Sequence, residues 1–313
     1  MTRVAAIDCG TNTINLLIAE PVAGGLRDVL RTSTVVRLGA GVDQAGRIDP
    51  VAMARTLEAT ATYAGQCDRY GVSAVRFVAT SASRDADNAD EFVTGVRQAF
   101  APRFVSPEVI SGDTEAELSF RGATTGLSTA GVPGPYLVVD VGGGSTELVL
   151  GHEVVQAGIS LDIGSVRLTE RHLVSDPPTT AQLATAETDI AAALDAAEEV
   201  IDLASVATIV GIAGSITTIT AYALGLERYD PAAIHLATMT PAEATDAATT
   251  VLHMPRVRRA AFGFMHPGRV DVIGAGALIW REVIARVQAH AGHTPVVASE
   301  HNILDGIALS LTL

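Results

Sequence analysis

Short uninterrupted apolar runs alternate along this chain with longer amphipathic stretches. The runs Leu16–Ile18, Leu137–Val139 and Leu148–Leu150 predict buried strands. Further strands are read at the N-terminus from Arg3 or Val4, over Asp28–Leu38, Ala74–Ala79, Phe104–Ile110, Glu153–Ser160 and Ala207–Ile212, and last over Pro295–Ala298. Between them lie helical patterns. Asp49 caps a helix with Pro50 in its first turn, which runs to about Arg69 and stops at Gly71. Other helices are expected over Ala89–Phe100, from Ser111 to about Gly122, over Thr180–Leu203, Ile216–Leu224 and Pro241–His253, from Arg269 to about Ala289, and over Ser299–Leu311. The fold class is therefore α/β.

One stretch organises the rest. Tyr136–Leu150 reads YLVVDVGGGSTELVL: a strand ending at Asp140, then Gly142, Gly143, Gly144 and Ser145, then a second strand carrying Glu147. The glycines expose backbone N–H groups and tolerate positive φ, and successive exposed amides form a concave anion site. Carboxylates beside a phosphate cradle need a cation between them, and Mg²⁺ takes oxygen ligands from both. The N-terminus repeats the unit as VAAIDCGTNTINLLIAE. With a shift of 132 residues Asp8 falls on Asp140, Gly10 on Gly142, Thr13 on Ser145 and Asn15 on Glu147. Either copy alone reads as a tight hairpin. The duplicated Asp-x-Gly-x-x-[Ser/Thr] pattern points instead to phosphate binding, by two similar lobes whose turns face one cleft.

Composition narrows the function. With 313 residues, 48% hydrophobic and 18% charged, the chain is globular and long enough for two domains. Its net charge is −14 and it has no lysine. A P-loop NTPase is excluded with its lysine, and a nucleic-acid partner lacks a basic face to bind. Cys9 and Cys67 make no disulfide framework, so a reducing cytoplasm is expected. Cys9 is read as buried filler. The first strand leaves no room for a signal peptide. Leu203–Leu226 is uncharged, but its Ser, Thr and Gly residues make it a strand, turn and helix, so no membrane contact is expected. The eight histidines show no metal-binding spacing, and no Gly-x-Ser-x-Gly elbow occurs.

Other candidate positions are ambiguous from spacing alone. Thr80–Arg84 follows a strand, where α/β ligands bind, and Arg84 is either a phosphate grip or a solvated arginine. Glu115 at the start of a helix reads as a capping glutamate ahead of a general base. Gly211–Ser215, with Gly214 and Ser215 at its end, is an anion site before a helix or a close strand–helix contact. Arg256, Arg258 and Arg259 read as a solvated face. The Gly-, Ser- and Pro-rich segment 126–135 marks a domain boundary.

The segments AIDCGTNT, TSASRDA, ISGDTEAELSFRGA, VVDVGGGSTELV, GIAGSITTI, RVDVIGAGA and SEHNILDGIA, in this order, resemble the exopolyphosphatase/guanosine pentaphosphate phosphohydrolase family in its short two-domain form. The resemblance spans essentially the whole chain. It implies two ribonuclease-H-like lobes of the actin-like ATPase superfamily, with mixed sheets flanked by helices and the active site in the interdomain cleft. The last helix is implied to return to the first lobe, giving residues 1–126 with 299–313, and 127–298. Glu115 aligns with the family's catalytic base, which reverses the capping reading. Asp140 and Glu147 align with acids that hold a divalent ion or orient water. Gly10, Thr11, Asn12 and Thr13 align with one phosphate-gripping turn and Gly142–Ser145 with the other. Arg84 and Arg269 align with basic residues of the cleft. Two departures stand out: Asn15 replaces a basic residue of many relatives, and the helical C-terminal domain of long members is missing.

The reaction expected is hydrolysis of a terminal phosphoanhydride of inorganic polyphosphate, with guanosine pentaphosphate as the competing substrate. Mg²⁺ or Mn²⁺ would be held by Asp140 with Asp8 or Glu147. A cytoplasmic homodimer is expected from the family. An ATP-dependent kinase and a non-catalytic phosphate sensor of the same fold are the remaining readings.

Overall fold

The computed structural model describes residues 2–312. It divides into two compact units, Met1–Gly122 with Ile303–Leu313, and Ala123–Asn302.

The first unit is built on β1 (Val4–Cys9), β2 (Thr13–Val22) and β3 (Gly25–Val35), with β4 (Ala74–Ala79) and β5 (Glu108–Val109) beyond β1. The sheet order is β3-β2-β1-β4-β5. β1, β2 and β3 are antiparallel neighbours, whereas β4 and β5 run parallel to β1. Four helices connect these strands: α1 (Val42–Ala45), α2 (Pro50–Arg69), α3 (Ser81–Arg84) and α4 (Ala89–Ala99). α5 (Gly112–Thr124) follows β5. α2 starts and ends where its sequence signals place it: the Asp49 side chain accepts from the N–H groups of Val51 and Ala52, and Gly71 takes the left-handed φ that stops it. One expectation is corrected. The strand read over Phe104–Ile110 shrinks to Glu108–Val109, because Pro107 offers no N–H to the ladder and Phe104 is fully exposed. In the polar segment after β4, Ser81–Arg84 forms the single helical turn α3, with Thr80 ahead of it.

The second unit repeats the plan. Its strands are β6 (Tyr136–Val141), β7 (Thr146–Gly151), β8 (Val155–Leu161), β9 (Thr208–Ile212), β10 (Thr238–Met239) and β11 (Val296–Ala298), in the order β10-β11-β9-β6-β7-β8. Read from β8, this is the first unit's order with one antiparallel edge strand added. The helices are α6 (Ser165–Arg171), α7 (Thr180–Glu198), α8 (Ala213–Ala223), α9 (Pro231–Ile234), α10 (Pro241–His253), α11 (Arg256–Arg259) and α12 (Ile273–Ala291). Both sheets thus have the mixed, helix-flanked ribonuclease-H-like order that the resemblance implied. α7 ends at Glu198, short of Leu203, and α12 begins at Ile273, so Arg269 lies in a 3-10 turn before it. The core is continuous around the fully buried Trp280.

The final helix, α13 (Ile303–Ser310), begins four residues after the expected Ser299. Its apolar face joins Val4, Leu17 and Val78 in the first unit's second core. Asp305 ties it to β3 through a two-pronged pair with Arg31, at 2.6 and 3.2 Å.

Arg258 is exposed, as a solvated face implies, but Arg259 is the exception in its cluster. It is buried, and its guanidinium donates to the carbonyls of Leu252, Met254 and Val270. The first two belong to the last turn of α10 and the residue after it, so the arginine satisfies carbonyls that a helix end leaves open, at the favourable pole of its dipole. Burial pulls its pKa down, and Asp176 and Asp271 oppose that pull. Arg259→Ala is expected to destabilise the protein by about 3 kcal/mol, through stranded carbonyls and lost packing. A melting curve should show a drop of roughly 6–12 °C. No change would mean that water replaces the guanidinium.

Candidate active site

The two copies of the repeated unit fold to the same local structure. In the first, the Gly10 N–H donates to the Thr13 carbonyl at 2.9 Å, and in the second the Gly142 N–H donates to the Ser145 carbonyl at 3.0 Å. Asp8 lies opposite Asn15 across β1 and β2, and Asp140 lies opposite Glu147 across β6 and β7. Neither Gly10 nor Gly142 takes a positive φ, so the freedom that glycine has there is not used. At Gly142 the reason is room: a Cβ would lie 2.9 Å from the Ser145 carbonyl oxygen.

The second turn is shaped as an anion cradle by what happens to its carbonyls. The N–H and hydroxyl of Ser165 bond the Gly142 carbonyl, and the N–H groups of Val166 and Arg167 bond that of Gly143. Arg167 Nε donates to the Gly144 carbonyl at 2.7 Å. All three glycine carbonyls are therefore occupied from the α6 side. The N–H groups of Gly143, Gly144 and Ser145 donate to no protein acceptor among the described residues. Amides without acceptors, backed by tied carbonyls, present a positive rim to a ligand. Gly164 makes this possible, since a Cβ there would lie 2.4 Å from the Gly143 oxygen. The first turn follows suit: Gly39 bonds the Thr11 carbonyl, and Val36 and Arg37 bond that of Asn12.

The acids differ between the copies. Asp8 is buried and accepts from Asn15 Nδ2 at 3.0 Å, a carboxylate answered by an amide. Asp140 and Glu147 are both buried and directly opposed, so their side chains share one face of the sheet, roughly 5 Å apart at Cβ. Ser160 Oγ donates to Glu147 Oε1 at 2.7 Å. Two opposed buried carboxylates are unfavourable without a cation. They suit Mg²⁺ or Mn²⁺, since Mg²⁺ commonly binds one or two carboxylates and completes its shell with water and phosphate oxygens. Among the described residues no group of three or more His, Cys, Asp and Glu is arranged to hold a metal ion. The protein's share of such a site would then be this carboxylate pair.

In the first unit Arg84 and Glu115 meet. Arg84 Nη1 donates to Glu115 Oε2 at 3.3 Å and to the Ile110 carbonyl at 2.9 Å, leaving Nε and Nη2 without a protein acceptor among the described residues. Glu115 is buried. Thr11 Oγ1 bonds Ser81 Oγ at 2.7 Å, which docks the first turn on α3 and so beside Arg84. Asp8, the first turn, Arg84 and Glu115 thus gather at the C-terminal ends of the parallel strands β1, β4 and β5, where α/β ligands bind.

In the second unit Gly214 and Ser215 lie within the first turn of α8 rather than before it. Ala213, at φ 66°, makes the sharp entry itself. The two glycines of this motif serve different ends. Gly211 permits close packing on Ile216 and Trp280, whereas Gly214 makes room for Arg269, whose Cζ would lie 2.2 Å from a Cβ there. Arg269 is half-buried and makes no side-chain hydrogen bond or ion pair among the described residues. Surrounding protein lowers its pKa by desolvation, and the nearby Tyr229 and Glu300 raise it. Gly276 of α12 packs against Ser215 and Ser165, which sets the first turns of α8 and α6 side by side. Ser160, Ser165, Tyr229 and Glu300 escaped the sequence reading. Ser160 alone had a signal, as the residue facing Glu147 across the β7–β8 pairing. Cys9 is buried with its thiol pKa pushed up by desolvation, first of all, which suits a filler rather than a nucleophile. Among the described residues no helix is long and apolar enough to cross a membrane.

The model of the Ppx/GppA phosphatase family matches residues 17–311. Exopolyphosphatase 2 of Mycobacterium tuberculosis is 48% identical over a 318-residue alignment that covers 99% of each chain. Among solved structures, an exopolyphosphatase-like protein superposes with a TM-score of 0.94 at 42% identity, over 99% of this chain and 97% of the other. A Ppx/GppA family member from Aquifex aeolicus superposes with a TM-score of 0.79 at 30% identity, again over 99% and 97%.

Proposed function

The chain belongs to the Ppx/GppA phosphatase family, and we propose that it is an exopolyphosphatase that hydrolyses the terminal phosphoanhydride of inorganic polyphosphate, short chains in particular. The observation that carries the reading is the turn Gly142–Ser145, with its carbonyls tied and its amides without protein acceptors, beside the opposed Asp140 and Glu147. A cradle of that kind suits phosphate oxygens, and the acids suit the cation that phosphates bring. The name of the mycobacterial relative supports the same substrate.

In this proposal Glu115 takes a proton from the attacking water, and Arg84 holds the Glu115 carboxylate in place while its remaining N–H groups face phosphate. The amides of Gly143, Gly144 and Ser145, and those of Thr11, Asn12 and Thr13, orient phosphate oxygens. Phosphoryl transfer depends mostly on such positioning and electrostatics. Gly214, Ser215 and Arg269 supply a further anion contact. Asp140 and Glu147, with Asp8 as a further candidate, would hold Mg²⁺ or Mn²⁺. Such an ion, when bound, neutralises charge on the reacting phosphoryl group. A cytoplasmic homodimer completes the proposal.

The test is phosphate release from short polyphosphate, long polyphosphate, guanosine pentaphosphate and ATP, side by side, with and without Mg²⁺. Release from short polyphosphate that needs the metal is expected. Preference for guanosine pentaphosphate would reassign the substrate, and binding with no release at any metal concentration would make the protein a sensor.

A further inference from the structure

Arg269 is seated but not paired. Its guanidinium rests on Gly214 and makes no hydrogen bond of its own among the described residues. A second polar group is built close by. The Tyr229 hydroxyl lies 2.6 Å from Glu300 Oε1 and 2.7 Å from Thr217 Oγ1. A phenol has one proton, and the carboxylate is the stronger acceptor, so Tyr229 donates to Glu300 and the Thr217 hydroxyl donates back. Thr217 sits one turn along α8 from Gly214, so Tyr229 is clamped to the same stretch of helix as the arginine. Glu300 follows β11, whose Ala298 pairs with Gly211 at the end of β9, and this fixes it beside the entry to α8. Its backbone is held as well: its N–H donates to His235 Nδ1 at 3.4 Å, and its carbonyl accepts from Asn302 Nδ2 at 3.1 Å. The Glu300 carboxylate is near enough to act on Arg269 through space, raising its pKa against the larger downward pull of desolvation.

We propose that Glu300, held by Tyr229, is the fixed counter-charge of the Arg269 anion seat and sets how tightly phosphate groups are held there. The inference rests on the reading that Arg269 binds a phosphate of the substrate. The carboxylate is close enough to weaken an incoming anion by repulsion. Its bond to Tyr229 keeps it from closing on the guanidinium and blocking the N–H groups. A seat tuned in this way grips a polyanion and releases the singly displaced phosphate.

The two partners therefore have opposite effects when altered. Glu300→Gln keeps the acceptor for Tyr229 but removes the negative charge. It should tighten binding of tripolyphosphate and of orthophosphate by roughly tenfold, the order expected for one charge in a partly desolvated site. Tyr229→Phe removes the hydrogen bond that turns the carboxylate away from Arg269 and should weaken both by roughly three- to tenfold. In an Arg269→Gln background both shifts should vanish. Binding is read by calorimetry on the full chain with Mg²⁺ present, and phosphate release is followed separately. Opposite shifts without phosphate release would overturn the hydrolase reading and leave this one standing. Shifts in the same direction, shifts that persist without Arg269, or no binding of tripolyphosphate by the unaltered chain would overturn the counter-charge. Should Tyr229→Phe fail to fold, unchanged or weaker binding by Glu300→Gln is sufficient to overturn it.

Discussion

Glu115→Gln is expected to lower phosphate release by roughly 10²–10⁴-fold, the usual worth of a positioned general base, while tripolyphosphate still binds. The substitution keeps the shape of the side chain and an oxygen for Arg84 Nη1, so the contact at 3.3 Å can persist in weakened form. What is lost is the ability to take a proton. The competing role, support of the start of α5, predicts a different outcome. Ser111 already serves the helix start: its hydroxyl accepts from the Thr114 N–H at 3.3 Å, and its carbonyl accepts from the Glu115 N–H at 3.0 Å. A glutamate acting only through the helix dipole would contribute about 0.3–1 kcal/mol to stability and nothing to the rate. Melting temperature and phosphate release therefore separate the two roles. A variant that turns over at the unaltered rate removes Glu115 from the mechanism, and one that loses both stability and binding returns it to the helix.

The site was legible where it is local and duplicated. The 132-residue repeat showed both hairpins, because strand, turn and opposed acid fall within eight residues of sequence and the structure closes each with the same Gly N–H bond. α2 was legible because its start and stop signals, Asp49, Pro50 and Gly71, act on their own neighbours. Illegible features depend on distant partners. Phe104–Ile110 has the composition of a strand, but Pro107 removes the donor that pairing would need. Arg259 looks like the arginines beside it until α10 folds over it with carbonyls to fill. Glu300 and Tyr229 are 71 residues apart, and nothing in either segment marks them as partners. The role of Gly164 was hidden in the same way: its constraint is a carbonyl oxygen 21 residues earlier in the chain.

Two glycine substitutions are expected to fail for opposite reasons, and together they test how the anion contacts are held. Gly164→Ala would place a Cβ 2.4 Å from the Gly143 oxygen and 2.6 Å from the Gly144 carbonyl carbon. Backbone cannot rotate out of the way as a side chain does. The cradle must shift, so phosphate release should collapse and stability should fall by about 1–3 kcal/mol. Gly214→Ala would meet Arg269 instead, at 2.2 Å from Cζ and Nη2. That obstacle is the mobile end of a side chain, so the fold can yield by moving the guanidinium. Alanine also suits a helix better than glycine, by up to about 1 kcal/mol. Stability should therefore hold or rise while KM for short polyphosphate climbs by roughly 10–100-fold, the worth of a charged hydrogen-bonding contact. Gly65→Ala, on an exposed part of α2 with nothing within 4 Å of the new Cβ, is the control: the same gain in helix propensity with no change in KM. An unchanged KM in Gly214→Ala would mean that Arg269 does not grip the substrate. A loss of stability there would mean that the guanidinium cannot move, and that its seat on Gly214 is part of the core.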